Sequence, residues 1–132
     1  MLRSGNSDQN SIAVLVTGAG SSDVNGCYLL NGRNGNAWQF ELSNVEHTFE
    51  IFKVAGSGGW WNIVERVGHL YPNPVHYGAL GKNDDVLPQR DGWGSIKYEG
   101  SWVGIAPMPE VEFTDRNTCV SWEGASSVLA KE

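Results

Sequence analysis

The sequence predicts an all-β fold: one small antiparallel domain, built as a bent sheet or small barrel with Gly- and Asn-rich turns. Three observations predict it. Apolar residues recur with a period of two, as in Trp38, Phe40 and Leu42 set against Gln39 and Glu41, the pattern of a half-buried strand. Asn-Gly pairs at 25–26, 31–32 and 34–35 punctuate the apolar segments, and such pairs favour the tight turns of hairpins. No long stretch carries the spacing of an amphipathic helix. Closure into a barrel manages exposed edges in a chain of 132 residues; a two-layer sandwich is the alternative arrangement.

The elements follow in order. Residues 1–10 read as a flexible polar lead-in, 11–115 as the all-β domain, and 116–132 as a tail, packed or disordered. Ile12–Val16 is a continuous apolar run leading into Thr17-Gly18-Ala19-Gly20. That opening imitates a dinucleotide loop, which needs a helix N-terminus behind it to face the phosphates. Here Ser22, Asp23 and Val24 stand where further glycines belong, and turn dipeptides follow. Residues 17–20 are therefore a turn between strands. Cys27–Leu30 and Ala37–Leu42 flank "NGRNG" as a hairpin. His47–Ala55 and Trp60–Val67 make the next pair around "GSGG", with Trp61 and Ile63 on one face and Trp60, Asn62 and Val64 on the other. Shorter strands are expected at 69–71, 75–80, 95–98 and 102–105, and a final or edge strand at Val111–Thr114.

Composition excludes several functions. The formal net charge is −6, with nine Lys and Arg scattered among fifteen acidic residues. No basic stripe stands ready to neutralise phosphates, so neither nucleic acid nor an anionic membrane surface is an expected partner. No apolar run approaches a membrane span and the first residues lack a signal-type apolar stretch, so the expected location is cytoplasmic. Cys27 and Cys119 are then expected as reduced thiols, although in a secreted chain the two could pair.

Catalytic and metal signals are weak. His47, His69 and His76 show no metal-type spacing and no CxxC accompanies them, so no metal and no cofactor is expected. No GxSxG elbow is present. His47 reads as a surface position at a strand start and His76 as part of a Pro-flanked loop. Carboxylates such as Glu41, Glu65, Asp84, Asp85 and Asp91 are candidates only in the sense that a fold can juxtapose any two of them.

The six tryptophans carry more information. Trp38 and Trp61 fall on the core side by period, whereas Trp60, Trp93 and Trp102 are candidates to line a surface. With Tyr71 and with Arg90, beside Asp91-Gly92-Trp93, they form the predicted ligand-binding set: Trp60, Tyr71, Arg90, Trp93 and Trp102. Aromatic plates beside polar groups suit a peptide, a glycan or a small planar ligand. The function expected is a non-enzymatic binding module whose affinity changes little with salt. The alternatives are a small hydrolase-type enzyme with a carboxylate or histidine in a barrel mouth, and a homodimerising structural domain.

Read in order, Val16-x-Gly18-Ala19-Gly20, Val24-Asn25-Gly26-x-Tyr28, Trp61-x-Ile63, Leu70-Tyr71, Leu87-Pro88, Gly92-Trp93 and Pro107-x-Pro109-x-Val111 form a spaced pattern. It resembles a small module that recurs, sometimes in tandem, in uncharacterised proteins of protists and algae. The match spans roughly residues 14 to 111. The resemblance implies turns and a core, and it brings no catalytic residue or cofactor with it.

Overall fold

A computed structural model describes residues 12–43, 47–66, 74–98, 101–102 and 104–121. The expected lead-in, the strand at 69–71 and the tail beyond 121 lie outside them. Eight antiparallel strands form one curled half-barrel sheet in the order β10-β1-β2-β3-β4-β5-β6-β7. The strands are β1 (Ile12–Thr17), β2 (Gly26–Asn34), β3 (Ala37–Ser43), β4 (Thr48–Lys53), β5 (Trp60–Glu65), β6 (Val75–Leu80), β7 (Gly94–Ser95) and β10 (Glu110–Asp115). A separate ribbon pairs β8 (Lys97–Tyr98) with β9 (Ser101–Trp102). The connectivity is a meander through β7, after which β10 returns to lie beside β1. No helix among the described residues is long and apolar enough to cross a membrane.

Alternation sends one face of each strand into the concave side. Val14, Val16, Tyr28, Phe40, Phe49, Ile51, Trp61, Ile63, Tyr77 and Val111 are all buried there. The face expected for Trp61 and Ile63 is thus the core face. Segment 104–109 crosses the open side of the half-barrel. There the Gly20 N–H donates to Pro107 O (2.8 Å), and the Tyr77 hydroxyl donates to Ile105 O (2.7 Å) while accepting from Ser21 N–H (3.1 Å).

This crossing settles the loop at 18–20. Behind it come a single 3₁₀ turn (Ser22–Val24) and then β2, so no helix N-terminus faces it. The Asn25 side chain closes the loop like a peptide group, accepting from Ala19 N–H (2.9 Å) and donating to Ala19 O (3.1 Å). A Cβ at Gly20 would run into the carbonyls of Ile105 and Ala106. The space a phosphate would need is occupied by the chain's own backbone.

The turns depart from expectation at all three Asn-Gly pairs: Asn25 is extended and Gly26 already opens β2, paired with Val16. Asn34 pairs with Ala37, so the hairpin bends at Gly35-Asn36, with Gly35 at φ +66°. Asn31-Gly32 is not a corner but a β-bulge inside β2, where the register shifts between Leu30 and Gly32. A bulge and a tight turn both call for glycine at positive φ, and Gly32 sits at φ +150°.

The cysteines require a correction. Cys27 and Cys119 form a disulfide, with Cα atoms 5.5 Å apart, in place of the expected reduced thiols. Sheet order explains it: β10 lies beside β1 and β1 beside β2, so the residues just after β10 fold back over Cys27. They form α1 (Arg116–Val120), whose N-cap Asp115 accepts from Thr118 N–H (2.8 Å). The start of the expected tail is therefore packed, with Cys119 fully buried against Ala13 and Leu15.

Candidate functional site

The outer face of β3, β4 and β5 gathers the groups best suited to hold a ligand. On β4, Phe49, Ile51 and Lys53 point inward and are buried, leaving Glu50 and Phe52 on the outer face. The register sets Phe52 opposite Asn62 on β5, and Asn62 opposite Gly78 on β6. An open cleft of about 230 Å³ is lined by Asn34, Gln39, Glu50, Phe52 and Arg66. Its charges are matched, since Arg66 Nη1 lies 3.4 Å from Glu50 Oε1. Asn34 is held by donating to Lys53 O (2.7 Å).

Trp60 adjoins this stripe. Gly78 provides its seat, because a Cβ there would fall into the indole ring. The ring nitrogen donates to Asn62 Oδ1 (2.6 Å), and the Trp60 N–H donates to Ser57 Oγ (2.9 Å). The ring thus lies half-buried along the sheet, fixed at both its backbone and its polar edge.

The chain matches no protein-family model, no curated protein and no solved structure.

Of the other predicted residues, the two whose side chains are described, Arg90 and Trp93, do not join Trp60 in one surface. Trp93 is a correction: it is 4% exposed, belongs to the core and donates its ring N–H to Gln89 O (3.0 Å). Arg90 is exposed and faces Glu110 on β10 at 3.3 Å. Trp102 lies in β9, with its side chain outside the described set, and Tyr71 falls outside the described residues altogether. Phe52, Asn34, Gln39, Glu50 and Arg66 were missed as site residues. Period-two alternation marks Phe52 and Glu50 as partners on one face, but only the register shows what lies beside them.

A second cluster stands at the rim where β4 and β6 begin and β5 ends. Glu65 bridges two histidines: Oε2 meets His47 Nδ1 at 2.7 Å and Oε1 meets His76 Nε2 at 3.1 Å. Asp23 Oδ2 lies 3.3 Å from His47 Nε2. His76 reaches this cluster through a bulge. Ile63 pairs with Tyr77 and Val64 with Val75, so His76 is the extra residue, and a bulge of this kind re-aims a side chain. Its ring then meets Phe49 edge-on, with centroids 5.4 Å apart.

Partial burial raises the Glu65 pKa, yet the hydrogen bonds and charges of His47 and His76 outweigh it and hold the carboxyl below its usual value. Imidazole beside carboxylate is the raw material of acid–base chemistry. Here, however, the donors and acceptors engage one another, and His76 Nδ1 is buried with no hydrogen-bond partner. Among the described residues no three His, Cys, Asp or Glu side chains converge to hold a metal ion.

Proposed function

We propose that the protein is a non-enzymatic binding module that takes a neutral, polyhydroxylated ligand, an oligosaccharide end or single sugar ring, on the outer face of the sheet. The observation that carries this reading is the cleft around Phe52, with amide, carboxylate and guanidinium groups at its margin and the indole of Trp60 laid along the neighbouring strands. A sugar presents an apolar C–H face and a rim of hydroxyls. Aromatic rings stack against the first, while Asn, Gln, Glu and Arg hydrogen-bond the second. The Glu50–Arg66 pair leaves the cleft without excess charge, which favours a neutral ligand and an affinity that changes little with salt.

The cleft is smaller than the several hundred Å³ typical of drug-sized ligands (about 300 Å³ and above), so one ring is the expected occupant. The disulfide supports an oxidising compartment as the place where this binding occurs, because such bonds persist there and are reduced in the cytosol. That reading replaces the cytoplasmic expectation.

The test is a glycan array followed by calorimetric titration of the best hit. Phe52→Ala is expected to weaken binding at least about tenfold, a loss of roughly 1.4 kcal/mol, with unfolding behaviour retained. An array without hits, or a folded Phe52→Ala protein that binds as the parent does, overturns the proposal. Capture of a peptide or a second copy through this face does the same.

A further inference from the structure

A different part of the molecule, the outer face of β1 and β2, is covered rather than open. Ala13, Leu15 and Leu29 form an apolar patch there with Cys27, and Cys119 seals it. The covering element is slight. Of α1 and the following Ser121, only Cys119 is buried, while Arg116, Asn117, Thr118, Val120 and Ser121 are exposed. A helix of five residues has no stability of its own, since isolated helices need about 12–15 residues to be even marginal in water. Among the described residues of this segment, Cys119 is the one side chain buried against the sheet, and its bond to Cys27 ties the helix to β2.

The bond is asymmetric in its surroundings. Cys119 is fully buried, whereas Cys27 is only partly so and lies in a strand that the short helix does not wholly cover. A thiolate arriving from solvent therefore meets the Cys27 side first.

We propose that the Cys27–Cys119 bond is a thiol-exchange site, and that its reduction by a dithiol releases α1 as a strap while the sheet stays folded. The chemistry balances with the dithiol as reductant. One of its thiolates attacks Cys27 Sγ, forming a mixed disulfide as the Cys119 sulfur leaves with the electron pair and takes up a proton. The second reductant thiolate then attacks its own partner sulfur, closing the oxidised reductant and freeing Cys27 as a thiolate that protonates. Two electrons and two protons reach the protein, and one disulfide moves to the reductant. The outcome is the uncovering of Ala13, Leu15 and Leu29.

The sheet is expected to survive because its core of Tyr28, Phe40, Trp61 and Tyr77 lies on the opposite face from the bond. The strap has no share in that core.

The test uses the full chain, oxidised, before and after treatment with dithiothreitol, and reads hydrogen exchange, near-ultraviolet circular dichroism and peptide mass. Reduction is expected to speed exchange across 116–121 at least tenfold and to leave the aromatic dichroism and a cooperative thermal transition in place. A limiting pulse of glutathione is expected to leave its adduct on Cys27. The Cys27→Ala/Cys119→Ala protein should reproduce the reduced exchange pattern without reductant. Unchanged protection of 116–121, collapse of the sheet on reduction, an adduct on Cys119, or failure of the double variant to fold would each overturn the proposal.

Discussion

Trp60 and Trp61 are neighbours in sequence and opposites in the fold, so truncating each one tests the assignment of faces directly. Trp61 is fully buried between Lys53 and Ala79 on the adjoining strands. Removing a ring from such a site costs the lost transfer energy and leaves a cavity, about 3–5 kcal/mol for a large aromatic. One feature offsets part of this. The Trp61 ring N–H is buried without an acceptor, a burden of about 1–3 kcal/mol that truncation removes. The net loss for Trp61→Ala is then centred on about 2 kcal/mol, or roughly 6–10 °C in Tm for a chain of this size. Trp60 is half-buried, so Trp60→Ala gives up one hydrogen bond to Asn62 and the cover over Gly78, about 1 kcal/mol. Trp61→Phe separates the two terms: it keeps an apolar ring and deletes the stranded N–H, so its loss should be under about 1.5 kcal/mol. Thermal and urea unfolding followed by circular dichroism measures all three. Equal losses for the two alanine variants would refute the assignment, and a Phe variant as damaged as the Ala variant would refute the offset.

Three further outcomes follow from named contacts. Gly78→Ala places a methyl inside the Trp60 ring, so the indole must lift; its emission should shift to the red, and sugar binding should weaken without loss of the core signal. Lys53 is 6% exposed and donates to Asn83 O and Asp85 O, each at 2.6 Å, so Lys53→Met should cost about 1–3 kcal/mol and open the 82–86 loop to protease; an intact loop would contradict that role. Glu65 has a folded pKa below its unfolded one, so the ionised carboxylate stabilises above the ordinary carboxylate range and that contribution disappears as pH falls through the lowered value. The stability gap between the parent and Glu65→Gln should therefore close in acid, as pH falls through and below the ordinary carboxylate range; a gap that persists unchanged in acid would argue against the histidine bridge.

Much of the fold was legible because strand period and turn chemistry act locally. Trp61 and Ile63 could be assigned inward, and β1, β6 and β10 placed within a residue or so, because each depends on a few adjacent side chains. The Gly18–Gly20 turn was legible for the same reason. The bulges were not. Asn31-Gly32 has the residues of a corner, and only pairing with β3 shows that the strand continues past it. His76 likewise lies within the strand expected at 75–80, yet nothing local announces that one extra residue turns its ring toward Glu65.

The site was less legible than the fold, for a reason that concerns which residues are allowed to be exposed. Trp93 was a natural suspect because it follows a polar loop, beside Arg90 and Asp91, yet its indole is part of the core with the ring nitrogen satisfied by Gln89. Phe52 drew no suspicion because a phenylalanine in a strand apolar on both faces reads as packing. Its strand has only one inward face, and Phe49 and Ile51 occupy it together with Lys53. Once Lys53 is known to be buried, period two forces Phe52 outward, onto the face it shares with Glu50. The buried lysine is thus the residue that decides where the aromatic surface lies: a strand ending in an inward cation commits its alternate aromatic to the outer face, where Asn62 stands opposite it on β5 and the Trp60 ring lies beyond, over Gly78 of β6.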